Sequence, residues 1–210
     1  MKNILIFILL LISFNSFSIE CEIKMKKVSL SDTLYYTYSI KNEYIRIDEY
    51  NKYNKLQKSI ITNSTKSYTY IDHSEKIYII LNYNNINNSF YYNTKYESYY
   101  NDNYKYIINY KCNQWIIKDK KHDRIITLWM TENEKFNKMK IYLPIIPSIN
   151  ETYSYLLYVS IPGVPLQIEV KNLFRYNIEN IYVTKIDYNK KIDNSKFNLP
   201  IGYKKQINDR

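Results

Sequence analysis

The sequence predicts a mainly β, α+β domain: an antiparallel sheet with a short pair of helices packed against one face. Three observations carry this. Apolar and polar residues alternate through most of the chain, two capping boxes interrupt the alternation between 131 and 163, and Asn or Asp stands at the breaks between runs. Alternation with period two marks a half-buried strand, whereas a capping box opens a helix. Strands, then helices, then strands again suit a sheet with its helices on one side.

The elements follow in order. Cys21, Ile23 and Met25 share one face, opposite Glu22, Lys24 and Lys26. Leu34, Tyr36, Tyr38 and Ile40 alternate with polar neighbours, and Ile45 and Ile47 alternate with Tyr44, Arg46 and Asp48. Further runs cover 56–61, 66–71 and 76–81, with Asp32, Asn42, Asn51, Asn54, Asn63 and Asp72 at the breaks. Asn and Asp tolerate the left-handed conformation that glycine otherwise supplies, so these breaks predict tight turns in a β-meander. Residues 82–105 are Tyr- and Asn-rich without clean alternation, and are expected to be a long loop or a poorly ordered helix.

Strands resume at 104–109, 112–118 and 124–130. The box Thr131-Glu132-Asn133-Glu134 then opens a helix with Phe136, Met139 and Leu143 on one face, ended by Pro144. A second box, Ser148 to Glu151, precedes Tyr153, Leu156 and Leu157, and Pro162-Gly163 stops that helix. Leu166, Ile168 and Val170 return to strand alternation, a long run covers 174–187, and 197–203 is an extended tail. The chain has only two glycines, Gly163 and Gly202, each beside a proline, Pro165 and Pro200. Such survivors in a glycine-poor chain predict turns that other residues would strain.

Residues 1–18 resemble a secretory signal: Lys2, an apolar run from Ile4 to Ile12, and the small-x-small Ser16-Phe17-Ser18. Cleavage near Ser18/Ile19 would leave one domain, 19–210, in the periplasm or outside the cell. No later stretch is apolar for long enough to span a membrane. Residues 1–18 carry only Lys2, so the formal charge of +10 falls to about +9. That balance favours anionic partners, such as an envelope polymer or lipid headgroups. Its basic residues are scattered, which speaks for a solvated surface and against a nucleic-acid site. An even count of two cysteines, Cys21 and Cys112, in an exported chain suggests a disulfide, the other reading being two buried thiols.

Catalytic signals are poor. Two histidines, no glycine-rich loop and no serine in a Gly-flanked turn give no support to a triad, a phosphate cradle, a metal site or a cofactor, so a non-enzymatic role is expected. The 26 tyrosines invite a sugar-stacking reading, but Tyr, Asn, Lys and Ile rise together, as a biased background would make them. Trp115 and Trp129 suit a core or the mouth of a pocket.

Several pieces, in this order and spacing, resemble exported bacterial proteins of the DUF4412 family, which is similar in turn to the lipoprotein carriers LolA and LolB. The carrying residues are Ile45-Arg46-Ile47-Asp48, Thr69-Tyr70-Ile71-Asp72, Lys111-Cys112-Asn113-Gln114-Trp115, Leu128-Trp129-Met130-Thr131, Gly163-Val164-Pro165-Leu166, and Phe197-x-x-Pro200-x-Gly202-Tyr203. The resemblance implies a strongly curved sheet, close to a half-open LolA-like barrel, with the helix pair as lid or plug over its concave face. It also implies a lipid, acyl chain or lipoprotein as ligand, with Arg46 either facing the concavity or lying on the surface beside Asp48 or Glu49. The alternative is a basic, Tyr-rich interaction protein with a filled core, binding an anionic polymer or a protein partner.

Overall fold

The computed structural model describes residues 20–62, 67–82, 97–120, 122–133, 136, 161–174 and 176–206. Among them, twelve strands form one open sheet: β1 (Glu20–Ser29), β2 (Thr33–Lys41), β3 (Tyr44–Tyr50), β4 (Leu56–Thr62), β5 (Ser67–Asp72), β6 (Ile77–Asn82), β7 (Glu97–Ile107), β8 (Tyr110–Asp119), β9 (Arg124–Thr131), β10 (Val164–Asn172), β11 (Asn177–Asp187) and β12 (Lys204–Lys205). Their order is β12-β6-β5-β4-β3-β2-β1-β11-β10-β9-β8-β7, antiparallel throughout except where β12 runs parallel to β6. Two meanders therefore meet at the β1–β11 pair, which joins the two ends of the chain.

Register places the alternating apolar residues on one continuous face. Ile79, Tyr70, Ile60, Ile47, Tyr38, Ile23 and Ile186 stand opposite one another in a row from β6 to β11. A second row runs Ile181, Ile168, Leu128, Trp115 and Tyr100, from β11 to β7. Tyr38, Ile168, Ile181 and Leu128 have no exposed surface, so this face is the core. Bulges in β1–β11, β10–β11 and β9–β10 add local twist and bend the sheet. Pro165 sits at the β9–β10 bulge, where a missing N–H is tolerated.

The turns follow the expected chemistry in part. Asn42 and Asn54 take positive φ (55° and 59°), as do Asn109 and Asp123 (69° and 52°). Asp32, Asn51 and Asp72 act through their side chains, each accepting backbone N–H groups of the turn that follows. Gly163 (φ 87°) and Gly202 (φ 84°) occupy the left-handed region, as their survival predicts. Asn63 lies outside the described residues.

One element departs from expectation. Residues 97–103, read as loop or helix, form the first part of β7. Both faces of this edge strand meet solvent, so nothing selects for alternation and the period-two signal vanishes. Residues 83–96 and nearly all of the expected helix pair, 137–160, lie outside the described residues, as do 1–18.

Candidate functional site

Trp115 is half-buried and points to the apolar face, where its ring meets Tyr100 edge-on at 5.4 Å. Its indole Nε1 is buried and has no hydrogen-bond partner among the described residues. Beyond it, Tyr100, Tyr104 and Tyr106 line the same face of β7 and are exposed, with Tyr104 and Tyr106 in edge contact at 6.3 Å. The apolar wall therefore ends in an aromatic rim that opens to solvent.

A buried aromatic group lies at the Tyr106 end of the same strands, where Ile107 pairs with Tyr110. Phe136 is buried between Tyr110 of β8 (4.8 Å) and Tyr188 after β11 (6.1 Å), its N–H held by the Asn133 carbonyl at 2.9 Å. Burial, with the Tyr110 hydroxyl beside it, pushes the Tyr188 phenol far above the ordinary tyrosine range. Phe136 belongs to the buried core cluster, against which Trp115 packs. Met139, Leu143, Tyr153, Leu156 and Leu157 lie outside the described residues.

Two expected site residues are elsewhere. Arg46 alternates with Ile45 and Ile47 and so lies on the reverse of the sheet, away from the apolar face. There its Nε donates to Asp48 Oδ1 (2.6 Å) and its terminal nitrogens to the Lys196 carbonyl (2.9 Å) and Ser59 Oγ (3.1 Å). The Asp48 pairing is as one reading had it, but the pair is covered by the chain's own C-terminal segment and is not free to meet a headgroup. Trp129 also faces the reverse side: its indole N–H donates to Glu169 Oε1 (2.9 Å), and Lys105 Nζ stands 3.9 Å from its ring centre. Neighbouring strand residues point to opposite faces, which separates Trp129 from Leu128 and hence from the pocket side.

Cys21 and Cys112 are both buried free thiols, so the expected disulfide does not form. Their strands, β1 and β8, are separated by β11, β10 and β9. Four strand spacings are about 19 Å along the sheet, against the ~6 Å between Cα atoms that a bridge needs. Burial pushes the Cys21 thiol up to about 12 and the Cys112 thiol up to about 11. Both behave as small core hydrophobes.

Sequence reasoning missed the side-chain cluster beneath the tail. Ser59 Oγ donates to Asp48 Oδ1 (2.5 Å) and contacts His73 Nε2 (2.7 Å), while His73 Nδ1 meets the Tyr203 hydroxyl (2.8 Å). Serine, histidine and aspartate thus converge, but not as a triad. The aspartate bonds the serine instead of the histidine, and Ser59 is buried, out of reach of a substrate. Burial first, then the Arg46 charge, holds the His73 imidazole below its ordinary value. A neutral ring that accepts from Tyr203 and donates to Ser59 satisfies every bond in the chain. Only the alternation of Ile45-Arg46-Ile47 carried any sequence signal for this cluster.

Among the described residues, no helix is long and apolar enough to cross a membrane. An uncharacterized conserved protein from Thermus thermophilus is similar over 90% of this chain and 91% of its own (TM-score 0.56, 5% identity). A MucA/MucB complex of Pseudomonas aeruginosa is more distant: TM-score 0.46 and 6% identity, over 85% of this chain and 55% of that one. An outer membrane lipoprotein-sorting protein domain from Vibrio parahaemolyticus gives 0.34 and 7%, over 86% and 88%. Of these three, the first alone is near enough in geometry to speak for the shared fold. No curated protein matches the sequence. Residues 19–203 match the family described as "Domain of unknown function (DUF4412)", and the chain belongs to it.

Proposed function

We propose that this is an exported, non-enzymatic binding protein that holds an acyl chain or another apolar ligand against the apolar face of its sheet. The observation that carries the reading is the Trp115 indole N–H. It is a buried donor without a partner among the described residues, set in an apolar wall whose rim is open. A buried donor left unpaired costs about 1–3 kcal/mol, so a ligand ester or carboxylate oxygen placed there would relieve a standing penalty. The alkyl part would gain about 0.8 kcal/mol for each methylene removed from water. Tyr100, Tyr104 and Tyr106 supply apolar rings with polar tips, which suits the passage of an amphiphile from solvent to wall.

Export rests on the signal-like N-terminus, and the absence of catalytic chemistry on the sequence and on the blocked Ser59. Two measurements test the reading. Mature protein purified from its native envelope is extracted with organic solvent for lipid mass spectrometry, and a fluorescent fatty acid is titrated into the delipidated protein. Saturable uptake is expected, weakened about three- to tenfold in Trp115→Phe, which keeps the ring and removes only the N–H. No co-purifying lipid together with no saturable uptake sinks the proposal.

A further inference from the structure

The two edges of the sheet are finished differently. The edge at β6 is covered by β12, whereas β7 is the last strand at the other end and runs for 11 residues. Nothing pairs with the outer edge of β7 among the described residues, so its outward N–H and C=O groups have no strand partner among them. Such an edge is a template for another strand.

We propose that β7 docks an extended acidic segment of another protein, which adds to the sheet as one further strand. Main-chain hydrogen bonds to the edge would supply affinity, and alternate side chains of the guest would meet the two faces. Those faces are prepared for it. Tyr104 and Tyr106 are 59% and 68% exposed on one side, and Tyr99 is 44% exposed on the other. Each side also presents an ammonium group over a ring: Lys111 lies 4.6 Å from the Tyr104 centre and Lys118 5.6 Å from that of Tyr99. Neither lysine lies within ion-pair distance of a carboxylate among the described residues. The acids nearby are spent or poorly placed, since Glu97 is held by Lys120 at 2.6 Å and Asp102 sits in the bulge between Asn101 and Tyr104.

A second copy of the chain is the wrong guest. Antiparallel self-pairing about the middle of β7 would set Asp102 against its own counterpart, and each copy carries a formal charge of +10 before any cleavage. The bulge itself guards against indiscriminate pairing while leaving 97–101 straight enough to take a guest. This docking surface shares Tyr104 and Tyr106 with the rim of the proposed ligand face, but it does not require that a ligand be bound there.

The probe is a blocked, fluorescent ten-residue peptide of alternating Glu and Val, followed by anisotropy with the full mature chain. Two controls keep the geometry of the test: the same peptide N-methylated at every second residue, and its Lys-for-Glu counterpart. Binding of the Glu peptide is expected, weakened about tenfold or more by N-methylation and by the Lys111→Glu/Lys118→Glu double variant, whose thermal melt should match the wild type. Hydrogen exchange should slow at alternate amides of 97–107 when the Glu peptide binds. Equal affinity for the N-methylated or the lysine peptide overturns the proposal, as does a wild-type dimer in sedimentation velocity whose interface protects the β7 amides.

Discussion

The edge at β6 and the edge at β7 answer one problem in opposite ways. At β6 the chain returns from its far end to cover the edge. The N–H groups of Lys204 and Gln206 donate to the carbonyls of Lys76 and Tyr78, forming β12. On the way there, the segment from Ile192 to Tyr203 lies over the reverse face of β1–β5 and is tied down repeatedly: Lys41 to the Ile192 carbonyl, Arg46 to that of Lys196, His73 to Tyr203. At β7 nothing comparable occurs among the described residues. A two-residue strand suffices to block an edge because the polar cluster behind it holds the strap in place. The contrast teaches that the buried charges of the reverse face serve a topological end, whereas the solvent-facing tyrosines of β7, with Lys111 and Lys118 of β8 beside them, remain available to a partner.

Removing the clamp at the strapped edge should have the largest effect. Arg46→Ala leaves Asp48, 3% exposed, without its cation, and frees the Lys196 carbonyl. Breaking one partner from a buried pair costs about 3–5 kcal/mol. Urea denaturation should show that loss, and hydrogen exchange should show the Lys204 and Gln206 amides opening while the β7–β8 pair stays protected. A loss below about 1 kcal/mol would mean that the strap does not depend on the clamp.

The two glycines extend the contrast at a smaller scale. Both have left-handed φ, but a Cβ on Gly163 would collide with the backbone carbonyl of Thr131, its carbon at 2.9 Å, whereas one on Gly202 would meet nothing within 4 Å. Gly202→Ala should therefore cost only the conformational strain, about 1 kcal/mol, at the strapped edge. Gly163→Ala adds a backbone clash where β9 meets β10, and should cost roughly 2–3 kcal/mol. Equal thermal shifts in the two variants would show that close approach at Thr131 does not matter.

Much of this sheet was legible because one face is dry. Cys21, Ile23 and Met25, or Leu166, Ile168 and Val170, alternate because every second side chain is buried, and the rule failed where that condition failed, along 97–103. The parity of Ile45-Arg46-Ile47 already placed Arg46 on the face away from the core, a stronger indicator than the basic character that suggested a headgroup. Likewise Leu128-Trp129 could not both line a pocket. What sequence could not supply was distance: Lys196 and Tyr203 reach Arg46 and His73 across 150 and 130 residues. Nor does an even cysteine count reveal which strands carry the pair, and here they are four spacings apart.

The smallest effect is the most specific to the strap. His73 is held below its ordinary value, by burial first and then by Arg46, with Asp48 and Asp72 acting in the other direction. The folded state therefore binds its proton less readily than the unfolded chain does. Stability from this group is complete above about pH 6.5, the unfolded value, and declines as the pH falls through it, because the unfolded state then takes up a proton that the folded state resists. Protonation would also turn Nδ1 from an acceptor for Tyr203 into a donor, loosening β12 before the sheet. His73→Gln cannot titrate. Relative to that variant, wild-type stability should fall between about pH 7 and about pH 5 in urea melts, with earlier exchange of the Lys204 and Gln206 amides and no change at β7. Parallel pH profiles for the two proteins would sever the link between His73 and the strapped edge.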